Sequence, residues 1–441
     1  MTVEQLLALA IFLATIAFVI WGVIDRAITA FIGVVLMVVL GVISEVEAFN
    51  AVDWNVIGIL VGIWIIAGYF GESGLPVWLA HKALRASRGS PAVFILLIGF
   101  IAAMISMFVD NVVVVLMMAP VVLHLSRRLK FNPAPYIIFT ALSANFMGTA
   151  LLLGDLPPQL LHSVTGIEFL EFVWQHGKPS SFPVLLITFI AVLVFFQWKF
   201  KGEKWKSRSL SVKDGKVEAA IKDRKLAVIS ISGFVLTVAF MAVRQMLDVA
   251  LGFITISGAA ATALTVEISN MASGKRDRPL FEKVLSELDW RAILFYILLF
   301  VLVGGIEKAG IIRMLADWLA PQMAADTFTG VTILYWITAP VVAIVEHDAY
   351  ILTFLHVIRD LAVYHGIEAW PLYWALVWAG TLGSNLTVAG APALYVALNI
   401  CEKEGVPVKL KGLLTYSVPF VLVSLVVCYL LALAFWVAPY L

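Results

Sequence analysis

The chain has 441 residues, 62% of them hydrophobic and 13% charged, with 30 Lys and Arg against 29 Asp and Glu. A soluble domain is roughly 45–50% apolar and about 25% charged, so this chain lacks the polar surface to cover a water-soluble globule and reads as a membrane protein. A net charge of +1 leaves no basic face for nucleic acid, and two cysteines, Cys401 and Cys428, supply neither a disulfide framework nor a thiolate metal site.

The elements follow in chain order. Met1 to Glu4 carry no basic residue ahead of an apolar run reaching Ile24, so this run reads as a first transmembrane helix rather than a leader. Apolar stretches of bilayer length are read at 5–24, 27–44, 54–71, 182–198, 226–246, 250–269, 291–306, 329–345 and 412–437. Shorter or Gly/Pro-interrupted stretches fall at 91–107, 111–126, 134–165, 349–363 and 370–400. A crossing helix needs about 20 residues, so the pieces near 16 are expected to enter the bilayer without crossing. Lys199 to Lys225 holds ten Lys and Arg against four Asp and Glu, which marks a cytoplasmic linker.

Asp53-Trp54 recurs as Asp289-Trp290, 236 residues later, and the same offset carries Gly68 to Gly304, Gly74 to Gly310, Asp110 to Glu346, Pro135 to Pro371 and Gly154 to Gly390. The register holds over about a hundred residues and selects the residue types least common in an apolar background. Two structural repeats are expected. Ser44 to Asp53, before the first, contains Glu45, Glu47 and Asp53 and no base, whereas Ser273 to Glu287, before the second, contains Lys275, Arg276, Arg278 and Lys283. After the first helix of each repeat the asymmetry reverses, with Lys82, Arg85 and Arg88 in the first and a nearly neutral Ala316 to Thr329 in the second. Lys- and Arg-rich loops stay in the cytoplasm, so the repeats are expected to be inverted.

The resulting division is N-terminal scaffold helices at 1–52, repeat 1 at 53–198, the basic linker at 199–225, scaffold helices at 226–288 and repeat 2 at 289–441. Ser90 to Ser126 has bases on both flanks and reads as a re-entrant hairpin (90–126) turning at Met107 to Asn111. Its counterpart is a hairpin at 329–363 turning at Val345-Glu346-His347-Asp348, and 134–165 and 370–400 read as broken helices.

A carboxylate at membrane depth costs about 2.5–3.5 kcal/mol, so Asp110 and Glu346 need a partner or a task. They either cap the helix that follows, with Asn111 and His347 in support, or bind a cation that competes with a proton. Ser143 to Pro158 and Gly383 to Pro392 place small, hydroxyl and amide residues mid-span before Gly and Pro, the pattern of a helix that stops and restarts. Freed carbonyls and amides at such ends can hold ions. Asn145, Thr149, Ser384, Asn385 and Thr387 are the side-chain ligand candidates; packing through small residues is the alternative reading. Asp155, before Pro157-Pro158, reads as an N-cap. His347, Asp348 and His356 lack the spacing of a closed zinc site, so no fixed metal is expected, and a transported cation would sit at Asp110 and Glu346. No P-loop is present, so energy is expected from an ion gradient.

Phe108-Val109-Asp110-Asn111 with Leu116 to Pro120, Asn145 with Gly148-Thr149 and Gly154 to Pro158, and Leu382 to Ala391 resemble the ion transporter superfamily. The likeness runs from about Trp54 to Leu431. It is nearest to the branch of arsenite permeases, NhaD-type sodium/proton antiporters and the melanosomal P protein, with citrate and dicarboxylate carriers more distant. The resemblance implies a scaffold and a transport domain in each protomer, an elevator-like displacement and a homodimer. It also implies that Asp110, Asn111, Asn145, Thr149, Glu346, Ser384, Asn385 and Thr387 surround the substrate. The second hairpin departs with Glu346-His347 where the first has Asp110-Asn111.

The expectation is therefore an all-α polytopic membrane protein of two inverted repeats with re-entrant hairpins and broken helices, a secondary transporter and not an enzyme. It needs no cofactor beyond a coupling H⁺ or Na⁺ and meets a small inorganic ion and the lipid bilayer. Its location is a prokaryotic inner membrane. Carboxylates on both hairpins, with no Lys or Arg between Gly89 and Arg127 or between Lys130 and Lys178, favour proton-coupled antiport of a monovalent cation such as Na⁺. Proton-coupled efflux of arsenite or antimonite is the alternative, and a citrate-like anion held at helix N-termini is the third.

Overall fold

The computed structural model describes residues 1–21, 24–200, 223–274, 280–323, 326–345 and 347–440. The chain opens on α1 (Val3–Trp21), α2 (Arg26–Val39) and α3 (Glu45–Ala51). It continues through α4 (Trp54–Glu72), α5 (Leu75–Ala86), α6 (Pro91–Ser106), α7 (Asn111–Leu129), α8 (Ala134–Gly148), α9 (Leu156–Thr165) and α10 (Ser181–Lys199). Between α9 and α10 a small hairpin pairs β1 (Trp174–Gln175) with β2 (Lys178–Pro179), turning on His176 and Gly177 at φ of 50° and 74°, the left-handed pair that a two-residue turn needs. Then come α11 (Arg224–Ala242), α12 (Arg244–Leu247), α13 (Leu251–Ala272), α14 (Leu280–Ser286), α15 (Trp290–Lys308) and α16 (Ile311–Met323). The chain ends with α17 (Thr327–Val342), α18 (His347–His365), α19 (Trp370–Ser384), α20 (Pro392–Lys403) and α21 (Leu410–Ala432).

Seven of the described helices are long and apolar enough to cross a bilayer. The protein is a multi-pass helical membrane protein.

The recurring Asp-Trp dipeptide has a local explanation. Asp53 caps α4 by accepting from the amides of Asn55 (2.9 Å) and Val56 (3.1 Å), and Asp289 caps α15 by accepting from Ala292 (3.0 Å). The following tryptophan reaches back, Trp54 Nε1 donating to Phe49 O at 3.2 Å and Trp290 Nε1 to Leu285 O at 2.9 Å. Helix starts at 54, 75, 91, 111, 134 and 156 return at 290, 311, 327, 347, 370 and 392, each 236 residues on.

Packing is exchanged between the halves. Helix α13, which precedes the second half, packs on α4, while α2, which precedes the first, packs on α15; α7 meets α20 and α18 meets α9. Ion pairs give the sense of the central pair: Lys283 in α14 reaches Glu72 at the end of α4 (2.6 Å), and Glu47 in α3 reaches Lys308 at the end of α15 (2.5 Å). Each of these helices ends beside the segment from which the other begins, so α4 and α15 run antiparallel. Helices α8 and α19 lie deepest, every residue from Pro371 to Ser384 being buried, which fits a pair without a polar face and enclosed by protein.

Two stretches read as bilayer-length are shorter. The stretch at 27–44 is a 14-residue helix, about 21 Å long at 1.5 Å per residue against a hydrocarbon core of about 30 Å. Gly41 stops it: at φ 75° it donates to Val38 O, and Val42 N donates to Met37 O (2.9 Å), the paired bonds of a glycine-terminated helix end. The stretch at 329–345 is α17, 16 residues that give way at Ala343 to a turn leading into α18. Of the linker read at 199–225, residues 201–222 lie outside the described residues.

Candidate functional site

Two interrupted helices build the centre. Helix α8 stops at Gly148 and α9 starts at Leu156; α19 stops at Ser384 and α20 starts at Pro392. A Cβ on Gly154 would lie 2.2 Å from Ser106 O and 2.5 Å from Gly148 O, and one on Gly390 would lie 2.4 Å from Val342 O and 2.7 Å from Ser384 O. The C-terminal ends of α6 and α17 are thus pressed into the breaks, at positions only glycine can occupy. Gly148 is tight as well, its Cβ position 3.0 Å from Asp155 Cβ.

The polar groups freed at the breaks are largely used inside the protein. Ser181 Oγ donates to Thr149 O (2.8 Å) and Ser417 Oγ donates to Leu386 O (2.9 Å), so two carbonyls that could have met an ion are satisfied by serines. Asp155 caps α9 through Oδ1, accepting from Leu156 N at 2.9 Å, with Pro157 and Pro158 in the first turn where no amide is needed.

Asn111 joins these parts. Its Nδ2 donates to Asn145 Oδ1 and to Asp155 Oδ2, both at 2.8 Å. Asn145 Nδ2 in turn donates to Ser384 Oγ (3.0 Å) and Thr381 O (3.4 Å), crossing from one broken helix to the other. Thr149 Oγ1 lies 2.5 Å from Thr381 Oγ1, and Asn385 Nδ2 donates to Leu142 O at 3.4 Å. Thr387 stands apart from this network, its hydroxyl donating to Ala343 O.

A cavity of about 440 Å³ lies in front of the network, between α4, the start of α7, the start of α15 and the start of α18. Asp110, Asn111, Asp155 and His347 line it, together with Asp348. Asp110 caps α7 with one oxygen alone, Oδ1 accepting from Val112 N (2.9 Å) and Val113 N (3.2 Å). The cap and ligand readings of this carboxylate are therefore compatible. His347 Nε2 lies 3.3 Å from Asp348 Oδ1. Among the lining residues Glu287 and Leu116 are exposed and Glu72 and Met117 partly so, which puts the mouth at the C-terminal end of α4.

The residues read from sequence fall into three groups. Asp110, Asn111, Asp155 and His347 face the cavity; Asn145, Gly148, Thr149, Ser384 and Asn385 are buried behind it; Thr387 supports the turn after α17. Glu346 lies outside the described residues. Three residues were missed. Asp348, whose spacing to His347 and His356 excludes only a closed zinc site, is 1% exposed and lines the cavity. Thr381 is the counterpart of Asn145 at the 236-residue offset, and the difference in residue type conceals the match in the sequence. Arg26, at the start of α2, is the one Lys or Arg among the described lining residues, its guanidinium 5.2 Å from the Phe295 ring centroid. A positive charge is therefore present, delivered from α2 rather than from α6, α7, α17 or α18.

Seven membrane-length helices among the described residues, together with two interrupted ones and buried carboxylates at a cavity, define a membrane transporter of the secondary type. The chain belongs to the CitMHS family, described as citrate transporter, whose sequence model matches residues 16–379, within the ion transporter superfamily. It is 28% identical over 412 residues to the uncharacterized transporter Rv2684 of Mycobacterium tuberculosis, covering 92% of each chain. It is 24% identical to the human P protein over 96% of this chain and 59% of that one, and 27% identical to the magnetosome protein MamN of Paramagnetospirillum magneticum over 89% and 87%. Its fold is similar to that of the YdaH transporter of Alcanivorax borkumensis, with a TM-score of 0.57 over 98% of both chains at 13% identity.

Proposed function

We propose that the protein is a proton-coupled antiporter of a monovalent cation, with Na⁺ favoured. The observation that carries this is the set of three buried carboxylates, Asp110, Asp155 and Asp348, on one cavity, with Asp110 keeping one oxygen outside its cap. Carboxylates at this depth are stable when protonated or when neutralised by a cation, so one site serves either ion and the arrival of a cation releases a proton. Asn111 and Asn145 hold the acceptors in place, and Arg26 contributes a fixed charge from the scaffold. In this reading the two halves are inverted repeats, and the hairpins and broken helices move as an elevator against the scaffold of a homodimer in a prokaryotic cell membrane.

Arg26 and the family's description favour a second reading, transport of a citrate-like carboxylate with a cation. In proteoliposomes holding a pH dye, Na⁺, Li⁺ or K⁺ pulses are expected to dissipate a proton gradient, and Asp110→Asn is expected to fold, since its amide oxygen still caps, yet lose the response. Citrate uptake with no response to any cation pulse would replace the antiport reading by the second. Arsenite accumulation in everted vesicles would instead favour efflux of a neutral solute.

A further inference from the structure

The cavity mouth lies at the last turn of α4, where Gly71 and Glu72 face the N-terminal part of α7. A Cβ on Gly71 would lie 3.1 Å from Met117 Sδ, so at this point α4 meets α7 through a glycine and the end of a flexible side chain. Helix α15 is the counterpart of α4 and runs antiparallel to it, so its last turn lies at the opposite end. There, the counterpart of Gly71 is Glu307. Glu307 Oε1 accepts from Arg359 at 2.6 Å, and its Oε2 lies 3.1 Å from His356 Nδ1. Arg359 is held in turn by Asp360, at 3.0 Å and 3.3 Å. The counterparts of Glu307, His356 and Arg359 are Gly71, Pro120 and Leu123, so the first half has no charge at these three positions.

We propose that Glu307, His356 and Arg359 form a lock that closes the second access path to the cavity. The cluster bridges α15 to α18, at the place where the other half is open. Its groups are partly exposed, so the charges stay hydrated enough to separate when α18 slides along α15. Helix α4 needs no equivalent because its path is the open one in this conformation. The inference rests on the alternating-access reading of the proposed function.

Two reporters test it. Met117→Cys lines the open path, and Thr353→Cys is its counterpart beside the lock; Cys401 and Cys428 are buried and give the background. A membrane-impermeant maleimide, applied to intact cells and to inverted vesicles, is expected to label Met117→Cys quickly from one face and Thr353→Cys slowly from the other. Adding Glu307→Gln or Arg359→Gln is expected to raise Thr353→Cys labelling about tenfold, equivalent to about 1.4 kcal/mol. The charge-swapped pair Glu307→Arg with Arg359→Glu is expected to restore protection, which a merely misfolded protein could not do. Labelling of both reporters from one face would overturn the two-sided reading itself. Labelling from opposite faces, with Thr353→Cys unaffected by either lock variant, would overturn the lock alone.

Discussion

Lys283 Nζ lies 2.6 Å from Glu72 Oε1, and this contact is the charge-reversed counterpart of the one between Glu47 and Lys308. Residues 47 and 283 are 236 apart, as are 72 and 308. Each tie joins a short helix before one membrane span to the end of the other, with acid and base exchanged. Lys283→Met is expected to lower stability by about 0.2–1 kcal/mol, as exposed pairs do. Glu72→Lys is expected to cost more, by placing like charges together, and Glu72→Lys with Lys283→Glu to recover most of the loss. Thermal melting in detergent checks the order.

The same two ties give a pH window. Lys308 and the Ser44 backbone hold the Glu47 carboxyl down at about 2, and Glu72 raises the Lys283 ammonium above its ordinary value. A depressed acid contributes above its unfolded value of about 4.3 and loses that contribution as pH falls toward 2; a raised base contributes fully below about 10.4 and loses it at higher pH. The effects of Glu47→Gln and Lys283→Met on melting temperature are therefore expected to be constant between about pH 5.5 and 9. A change in either within that range would contradict the assignment.

Asn111→Ala removes the donor that Asn145 Oδ1 and Asp155 Oδ2 share. Stranding buried acceptors costs about 1–3 kcal/mol, so a clear loss of stability is expected alongside loss of transport. Asn111→Asp, which also brings a negative charge to Asp155, is expected to be worse than alanine by denaturation in detergent.

Ser181 and Ser417 separate by the number of groups they serve. Ser181 Oγ donates to Thr149 O and also accepts from Trp378 Nε1 (3.0 Å), whereas Ser417 Oγ makes the bond to Leu386 O. Ser181→Ala is expected to destabilise by about 1–3 kcal/mol and Ser417→Ala by about 1 kcal/mol. Equal effects in parallel melts would show that the tryptophan contact contributes nothing.

The glycines at the breaks should be intolerant. Gly154→Ala and Gly390→Ala each drive a methyl into a backbone carbonyl, which cannot yield as a side chain can. A cost of about 1–3 kcal/mol or more and loss of transport are expected. Gly71→Ala meets only the flexible Met117 and should retain near-native stability. Expression level and monodispersity in detergent report the difference.

The sequence showed much of this architecture because its punctuation is chemical. Asp53 and Asp289 cap, Gly154 and Gly390 admit a neighbouring backbone, and prolines stand in the first turns of α8, α9, α19 and α20, with Pro135 and Pro371 at the 236-residue spacing. What escaped depends on three-dimensional juxtaposition. Arg26 comes from a helix in front of the first repeat, and nothing local to its position indicates that it lines the cavity with Asp110. The short α2 escaped because its end is decided by one backbone conformation, at Gly41, inside a run that stays apolar to Ile43. The satisfied carbonyls of Thr149 and Leu386 depend on serines from α10 and α21, each about thirty residues further along the chain.

The exchanged ties at Glu47–Lys308 and Glu72–Lys283 have a consequence for assembly. A first half docked onto a copy of itself in this arrangement would set Glu47 against Glu72, and a second half so docked would set Lys283 against Lys308. Both self-pairings are like-charged and only the mixed pairing is neutral, so these four residues act as a matching code that disfavours union between equivalent halves. The two halves, alike in the spacing of their helices, are thus complementary without being interchangeable.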